Sequence, residues 1–588
     1  MGQMITLTRD AWREVDPADP STAVAHADGM PPGLELLPDG LWQTAPDGKT
    51  HRIGSWLVIE ALFKEAVGQG WGKVVVITDP DGTRHRLTFL DGEIATNWSK
   101  VLSTLLNAGY QLGEAPDAGK RLQRVLQAWR PQARRSRIGR IGVHLTPQPC
   151  FVLPTGQVIG AEGLVADAAA TSAAADMQPA GRIEDWREQI GALCSGNPLM
   201  IMAVSLAFFG PVLGLVDPDM GGGFHLGGSS SRGKSTIAEV AASVWGGPRL
   251  RRSWNATANG LEALAVAHSG TLLILDEIGE AAPKVIGRAI YALSNGAGKG
   301  RMTSEAGLRA GESWALAFLS TGELGVARKL AEAGVDIMAG QAVRLIEVAA
   351  DGRRFGAFDT LHGARDGAAF ADLIKAQRLR FHGTAGPAFV EAAFADVEAT
   401  RAQIGTLAQN GMVRMRKGLG VEPDGQMLRV LKRCAHVAAA GELATRHGLT
   451  GWAAGEAENA LVEVFEDWLA ARDDGSTLAA TLHLQKLRSW LRDHDSEIAE
   501  LPVVSVSRTK GWKDKERIYL SPEAWVEIHG PSHASVSRVL EGAGVLETGD
   551  GRNIAARAPR AIPGRPRVYR LRRACVEGVA SPDGTHME

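Results

Sequence analysis

A single stretch, Gly228-Ser229-Ser230-Ser231-Arg232-Gly233-Lys234-Ser235-Thr236, narrows the fold of this chain more than any other feature. It has the spacing G-x-x-x-x-G-K-[ST], in which backbone N–H groups form a concave nest for phosphate at the start of a helix. Gly228 and Gly233 allow the tight turns, Lys234 is spaced to reach β- and γ-phosphates, and the Ser235 hydroxyl suits Mg²⁺. The pattern carries that meaning only between a strand and a helix. Here Phe224 to Gly227 reads as the entering strand and Lys234 to Val244 as the departing helix.

A second motif follows. Leu272-Leu273-Ile274-Leu275-Asp276-Glu277 is an apolar strand ending in two acids. Asp276 is the expected Mg²⁺ ligand, directly or through water, and Glu277 the group that polarises an attacking water. The next strand, read from Trp314 to Leu319, ends in Ser320-Thr321, whose hydroxyls are expected to position that water. Arg344, at the start of the following strand, is the expected source of transition-state charge, supplied in trans from a neighbouring subunit. Helical segments at 261–267, 285–293 and 326–333 alternate with these strands. Alternation of this kind predicts an α/β core, a parallel sheet flanked by helices, with ligands at the carboxyl ends of the strands. ATP and Mg²⁺ are the implied cofactors. A kinase fits less well, because Glu277 is placed for a water nucleophile.

The rest of the chain is read around this core. At 588 residues it is too long for one hydrophobic core, and about three or four domains are expected. Residues 1–185 form a mixed α+β region ending in an Ala-rich linker, 186–354 the ATPase core, 355–475 a helical lid and 476–588 a basic winged-helix-like domain. In the first of these, Asp79-Pro80-Asp81-Gly82 contains a D-x-D pattern, but Pro-Asp-Gly between strands reads as a hairpin turn. Pro198 to Val216 is uncharged and apolar enough for a membrane span; Gly210-Pro211 and the acids after it make a buried helix the better reading. The net charge of −2 provides no global basic field, so any nucleic-acid binding must come from local patches. The four cysteines are scattered, without a C-x-x-C pair, which argues against zinc and for a reducing, cytoplasmic setting. No signal-peptide pattern begins at Met1, and no membrane partner is expected.

The order of P-loop, Asp-Glu strand, polar strand end and arginine resembles the AAA+ ATPases. Further stretches resemble the bacterial and phage family called domain of unknown function 927. These include Phe151-Val152-Leu153-Pro154, Cys194-Ser195-Gly196-Asn197, Asn255 to Gly260, Asn295 to Lys299, Leu319 to Glu323, Gly383 to Pro387 and Ala438 to Glu442. Members look like replicative helicases of mobile elements, similar to the minichromosome-maintenance and superfamily 3 helicases. The resemblance implies a homo-hexameric ring on single-stranded DNA, with a primase or loader as further candidate partners.

Two regions are candidates for touching DNA. The connection from Asn295 to Ser313 is long, and two short strands around Ala306-Gly307 would form a hairpin; Lys299 and Arg301 are its expected phosphate contacts. Near the C-terminus Arg552, Arg557, Arg560, Arg565, Arg567, Arg570, Arg572 and Arg573 follow a helix and read as a basic wing. A basic turn from Arg508 to Arg517 and the arginines from Arg130 to Arg140 are further basic clusters. The reading is an ATP-driven DNA helicase or translocase. Its alternatives are an AAA+ protein-remodelling or loader ATPase, and a slow ATPase switch in defence or regulation.

Overall fold

The computed structural model describes residues 5–6, 25–45, 47–65, 70–146, 148–166, 174–298, 301–302, 308–309, 312–332, 334, 338–419, 423–471, 477–502, 509–530, 533–548 and 554–577. The chain divides into two units, Met1–Ala175 and Asp176–Glu588.

The first unit is built on a five-stranded sheet. Its strands are β1 (Leu57–Glu65), β2 (Trp71–Thr78), β3 (Arg84–Leu90), β4 (Arg134–Ile138) and β5 (Leu164–Ala166), in the order β5-β4-β1-β2-β3. Helices α1 (Asp91–Thr96), α2 (Trp98–Asn107) and α3 (Ala118–Ala128) cover one face. The period of two sends Leu57, Val75, Ile77 and Phe89 into that core, where they meet Ile94, Leu105, Leu122 and Trp129. A register shift between Ile59 and Ala61 leaves Glu60 as an extra residue in β1. The D-x-D tetrapeptide is a turn. Asp79 Oδ1 accepts from the Asp81 and Thr83 amides, Asp79 Oδ2 meets His85 Nε2 at 2.8 Å, and Gly82 takes φ +81°. The Asp79 carboxylate is thus occupied in shaping the hairpin.

The second unit carries a parallel sheet flanked by helices. Its elements are α4 (Pro198–Val216), β6 (Gly222–Gly227), α5 (Lys234–Ser243), β7 (Arg251–Ser253), β8 (Leu272–Asp276), α6 (Pro283–Asn295), β9 (Ala317–Gly322), β10 (Leu345–Ala349) and α7 (Gly367–Arg380). All five strands are parallel, in the order β7-β8-β9-β6-β10. Strand β9, which ends in Ser320-Thr321-Gly322, therefore lies between the strand before the glycine loop and the strand ending in Asp276. The inner strands β8, β9 and β6 are buried along almost their whole length because both faces are covered, whereas the edge strand β7, Arg251-Arg252-Ser253, is polar and largely exposed.

Helix α4 is the one helix among the described residues long and apolar enough to cross a membrane, yet Leu199 to Leu215 are all buried within the protein. Glycine permits this packing. A Cβ on Gly210 would lie 2.3 Å from the Thr271 carbonyl oxygen, so the helix can press on the start of β8 only without one. Behind it stand α8 (Val397–Leu419), α9 (Gly425–Arg446) and α10 (Glu456–Ala471). The last part holds α11 (Thr477–Asp493), β11 (Gly511–Lys513), β12 (Arg517–Leu520), α12 (Pro522–His529), α13 (His533–Gly542), β13 (Leu546–Glu547), β14 (Ala556–Arg557) and β15 (Arg567–Arg572). Its core joins Leu487, Trp525, Leu540 and Leu571. The helix α13 followed by antiparallel strands β13, β14 and β15 has the order expected for a helix with a wing.

Candidate functional site

The loop from Gly228 to Gly233 joins β6 to α5, and its shape depends on left-handed backbone. Gly228 has φ +148° and Gly233 φ +103°, and Ser231 adopts φ +60° despite its side chain. Gly233 also lies against the Phe358 ring, where a Cβ would come within 2.9 Å. The loop opens at the N-terminus of α5, where unpaired N–H groups and the helix dipole favour an anion. Lys234 Nζ donates to the carbonyls of Gly228 at 2.6 Å and Ser229 at 2.7 Å, which holds the ammonium over the loop. An ammonium has three donors, so one remains for a ligand. Ser230, Ser231, Arg232, Ser235, Thr236 and Glu277 line the same cavity of about 490 Å³ as Lys234.

The acids expected on β8 are held by Thr321. Its hydroxyl donates to Asp276 Oδ1 and accepts from the Glu277 amide at 3.2 Å. Glu277 takes φ +55° and accepts from the Gly279 amide through Oε1 at 3.1 Å. A glutamate in the left-handed region costs about 1–3 kcal/mol, which the hydroxyl brace offsets. The braced turn brings Glu277 into the cavity with Lys234 and Ser235.

Ser320 does not share this position. The strand pleat turns it away from Thr321, and it is completely buried. His225 Nε2 lies 3.0 Å from the Leu324 carbonyl, which can only accept, so that nitrogen carries the proton. Nδ1 then accepts from the Ser320 hydroxyl at 2.8 Å, and Ser320 accepts from Trp254 Nε1 at 2.9 Å. Burial pushes the His225 pKa down to about 4. The expected pair of water-positioning hydroxyls is therefore split, with Ser320 a structural link and Thr321 at the acids.

Arg344 is not brought to this cluster either. It precedes β10, and the parallel direction of the strands puts that point at the amino edge of the sheet. Its carbonyl accepts from Gly223 at 2.9 Å, its guanidinium lies 5.0 Å from the Tyr291 ring centroid, and NH1 donates to Gly340 O.

Several groups around the loop lie far away in sequence. Asp351, just past β10, accepts from both the amide and the hydroxyl of Ser229 through Oδ2, each at 2.9 Å. Ala357 donates its amide to Arg232 O at 2.8 Å, so the turn 351–358 fastens the loop at two points. Arg353 anchors that turn to α10 through Glu463 and Asp467. A ladder of alternating charge runs from Asp276 to Arg251 at 3.3 Å, to Glu239 at 3.5 Å and on to Arg378 of α7 at 3.2 Å. Helix α7 lines the cavity through Ala368, Ala371 and Lys375. A carboxylate directly after a strand's carboxyl end was the one signal that could have marked Asp351. Among the described residues no group of three or more His, Cys, Asp and Glu forms a metal cage.

The basic segments fall into two kinds. Arg301–Met302 pairs with Leu308–Arg309 as an antiparallel hairpin, with Arg301 directly opposite Arg309. Lys299 and Arg552 lie outside the described residues. In the wing Arg557 is directly opposite Arg567, and both are exposed; Arg565 is exposed too, with Nε on the Ala558 carbonyl. The turn before it is different. Lys510 meets Glu527, Lys513 meets Asp495, and Arg517 and Arg572 share Glu547. Like charges directly opposite on a sheet are unfavourable unless an acid compensates them. Glu547 does so for Arg517 and Arg572.

Comparison with known proteins gives the following. Residues 35–313 match the family model described as Domain of unknown function (DUF927). No curated protein matches the chain. A solved structure described as "SCCmec type IV Cch - active helicase" superposes with a TM-score of 0.57 at 18% identity, over 93% of this chain and 99% of that one. At that identity the likeness is one of fold.

Proposed function

We propose that this chain is an ATP-hydrolysing DNA helicase or translocase that works as a homo-hexameric ring on single-stranded DNA, in the replication of a mobile element, phage or plasmid. The observation that carries the reading is the meeting of Lys234, Ser235 and Glu277 in one cavity, with Thr321 fixing Asp276 and Glu277 at the adjacent strand ends. The loop amides cradle the phosphates, and the third Lys234 donor serves a phosphate oxygen. The donor set fits a magnesium ion that arrives with the nucleotide, held by the Ser235 hydroxyl and by Asp276. Bound there, Mg²⁺ supplies charge neutralisation on the phosphates. Glu277 accepts the proton of the attacking water once its carboxylate leaves the Gly279 amide. The charge ladder from Asp276 through Arg251 and Glu239 to Arg378 gives a physical link from the acids to α7.

The hairpin with Arg301 opposite Arg309, and the wing with Arg557 opposite Arg567, are the DNA-facing elements in this reading. In the wing, Arg557 and Arg567 pair like charges that a phosphate would neutralise. The solved structure of like fold is that of an active helicase, which supports the same direction. The test is ATP turnover with and without single-stranded DNA, alongside unwinding of a forked duplex, with Lys234→Ala and Glu277→Gln as controls. Stimulation by the strand and separation of the fork are expected. Turnover indifferent to DNA, with no separation, would sink the helicase reading and favour remodelling of a protein.

A further inference from the structure

The first unit contains a second charged cavity, of about 720 Å³, on the sheet face opposite its helices. Arg84 and Arg86 of β3, Arg135 of β4 and Glu60 of β1 line it, with Val74, Val158 and Leu164 as apolar wall. The bulge in β1 sets Glu60 between two guanidiniums. Arg86 Nε meets Glu60 Oε2 at 2.7 Å, and Arg135 NH2 meets Glu60 Oε1 at 3.1 Å. We propose that this cavity binds the sugar–phosphate backbone of a single nucleic-acid strand.

Three observations point there. The first is the geometry of the arginines. Arg86 and Arg135 meet Glu60 through one nitrogen each, and a guanidinium carries five donors in a planar fork that matches phosphate. Glu60 therefore fixes the orientation of two arginines while leaving donors for a ligand. Second, Arg84 and Arg86 are two residues apart on one strand, hence on one face about 7 Å apart. That row is suited to successive phosphates rather than to one. Third, no Phe, Tyr or Trp is among the described lining residues, so the cavity has no aromatic platform for picking one base. Contacts of this kind position a strand without reading its sequence. The cavity holds Arg84, Arg86 and Arg135 against Glu60 and Glu162, a surplus of positive charge centred on the two forks.

The arginine run noted in the sequence contributes only Arg135. Arg134 turns back on the carbonyls of Pro131, Gln132 and Ala133, Arg137 pairs with Glu65 over the Phe63 ring, and Arg140 is pushed down in pKa by burial. The site is thus assembled by three strands and was not visible as a cluster in the sequence. It lies wholly within the first unit and does not depend on nucleotide hydrolysis.

The test uses the full chain in an Arg557→Ala/Arg567→Ala background, which removes the wing's facing arginine pair, and labelled single strands of oligo-dT and of mixed sequence. Each phosphate contact contributes about 0.7 to the log–log salt slope for a single strand. Adding Arg84→Ala/Arg86→Ala should lower the slope by about 1.4, which is about 25-fold in affinity at 0.1 M salt if the 1 M intercept holds. The loss should be alike for both strands. Glu60→Gln removes two ion pairs and one negative charge. It should tighten binding, a change of sign that a purely structural role for the trio does not produce. An unchanged slope and affinity in the arginine double variant overturn the proposal. So does competition by dTMP as effective as the strand at equal phosphate concentration, which would make this a pocket for free nucleotide. A photoreactive strand should crosslink to peptides within 84–90, 134–138 or 155–166 of the otherwise unmutated chain; crosslinks confined to other regions also overturn it.

Discussion

The two ends of the parallel sheet handle buried polarity in opposite ways. At the carboxyl end, polar groups are braced beside a cavity that a ligand can enter, lined by Lys234 and Glu277: Lys234 over its loop carbonyls, Thr321 between Asp276 and Glu277, Asp351 on Ser229. At the amino end a single buried cation closes the structure. Arg433 of α9 donates to the carbonyls of Met220, Gly221 and Val343, just ahead of β6 and β10, and burial brings its pKa down to about 10. Those carbonyls need a donor, and the guanidinium fork reaches all three. The contrast teaches that a cation held by main-chain carbonyls marks a reactive site only where it lines a cavity and keeps a donor for a ligand, as Lys234 does. A buried cation with a main-chain carbonyl on each of its three nitrogens, as in Arg433, is architecture.

The largest effects should come from the carboxyl end and appear in function alone. Lys234→Ala removes the ammonium that would serve the phosphates, and ATP turnover should fall roughly 10²–10³-fold with loss of nucleotide binding. Glu277→Gln keeps the shape and the Gly279 contact. It should retain binding while turnover drops about 10²–10⁴-fold. A fluorescent-nucleotide titration beside a phosphate-release assay separates the two. Equal binding loss in both variants would break the division of labour between loop and acids.

Arg433→Met reverses the pattern. It leaves the carbonyls of three buried residues without their side-chain donor, and stability should drop by about 3 kcal/mol in urea denaturation. Nucleotide affinity per folded molecule should be unchanged. A variant that stays stable but loses nucleotide binding would mean that the two ends are coupled rather than separate.

Much of the carboxyl end was legible in the sequence and little of the amino end. Gly228 to Thr236 carries its meaning in contiguous spacing, and Asp276-Glu277 ends an apolar run, so both could be placed from the chain alone. Ser320 and Thr321 are also adjacent, but the pleat separates neighbours to opposite faces, and only the fold says which one meets the acids. Arg344 was associated with the site because it borders the next strand. In a parallel sheet the start of a strand is the end remote from the ligands. Asp351, Arg251 and Arg433 come from segments with no motif. Their roles arise from packing across the chain, where no local pattern records them.

Acid should sharpen the contrast more gently. The His225 link between Ser320 and Leu324 is neutral in the folded state because burial lowers its pKa to about 4. The unfolded chain takes up the proton first, near the ordinary histidine value of about 6.5. The stability contributed by the neutral ring is therefore full above that value and is lost as pH falls toward 4, by up to about 1.4 kcal/mol per unit. His268, His483 and His529 are lowered for the same reason. Comparing the parent chain with His225→Asn cancels those three. The stability gap between the two should narrow between about pH 6 and pH 4.5 and stay constant from pH 7 to pH 8. A gap independent of pH would mean that folding leaves the His225 pKa at its ordinary value.

The smallest effect concerns Arg344, which sits at the architectural end yet was expected in the chemistry. Its contacts within the chain are modest: the Tyr291 ring at 5.0 Å and the Gly340 carbonyl at 3.0 Å. A cation–π contact of this kind is worth about 0.5–1 kcal/mol, so Arg344→Ala should shift the denaturation midpoint only slightly. Because Arg344 stands at the edge remote from its own chain's glycine loop, any catalytic contribution has to reach the loop of a neighbouring subunit. Turnover of the assembled protein should then fall while nucleotide affinity holds, and mixing Arg344→Ala with Lys234→Ala chains should restore some turnover where an intact Arg344 faces an intact Lys234. Full turnover in Arg344→Ala would assign this residue, like Arg433, to the architecture of the amino end.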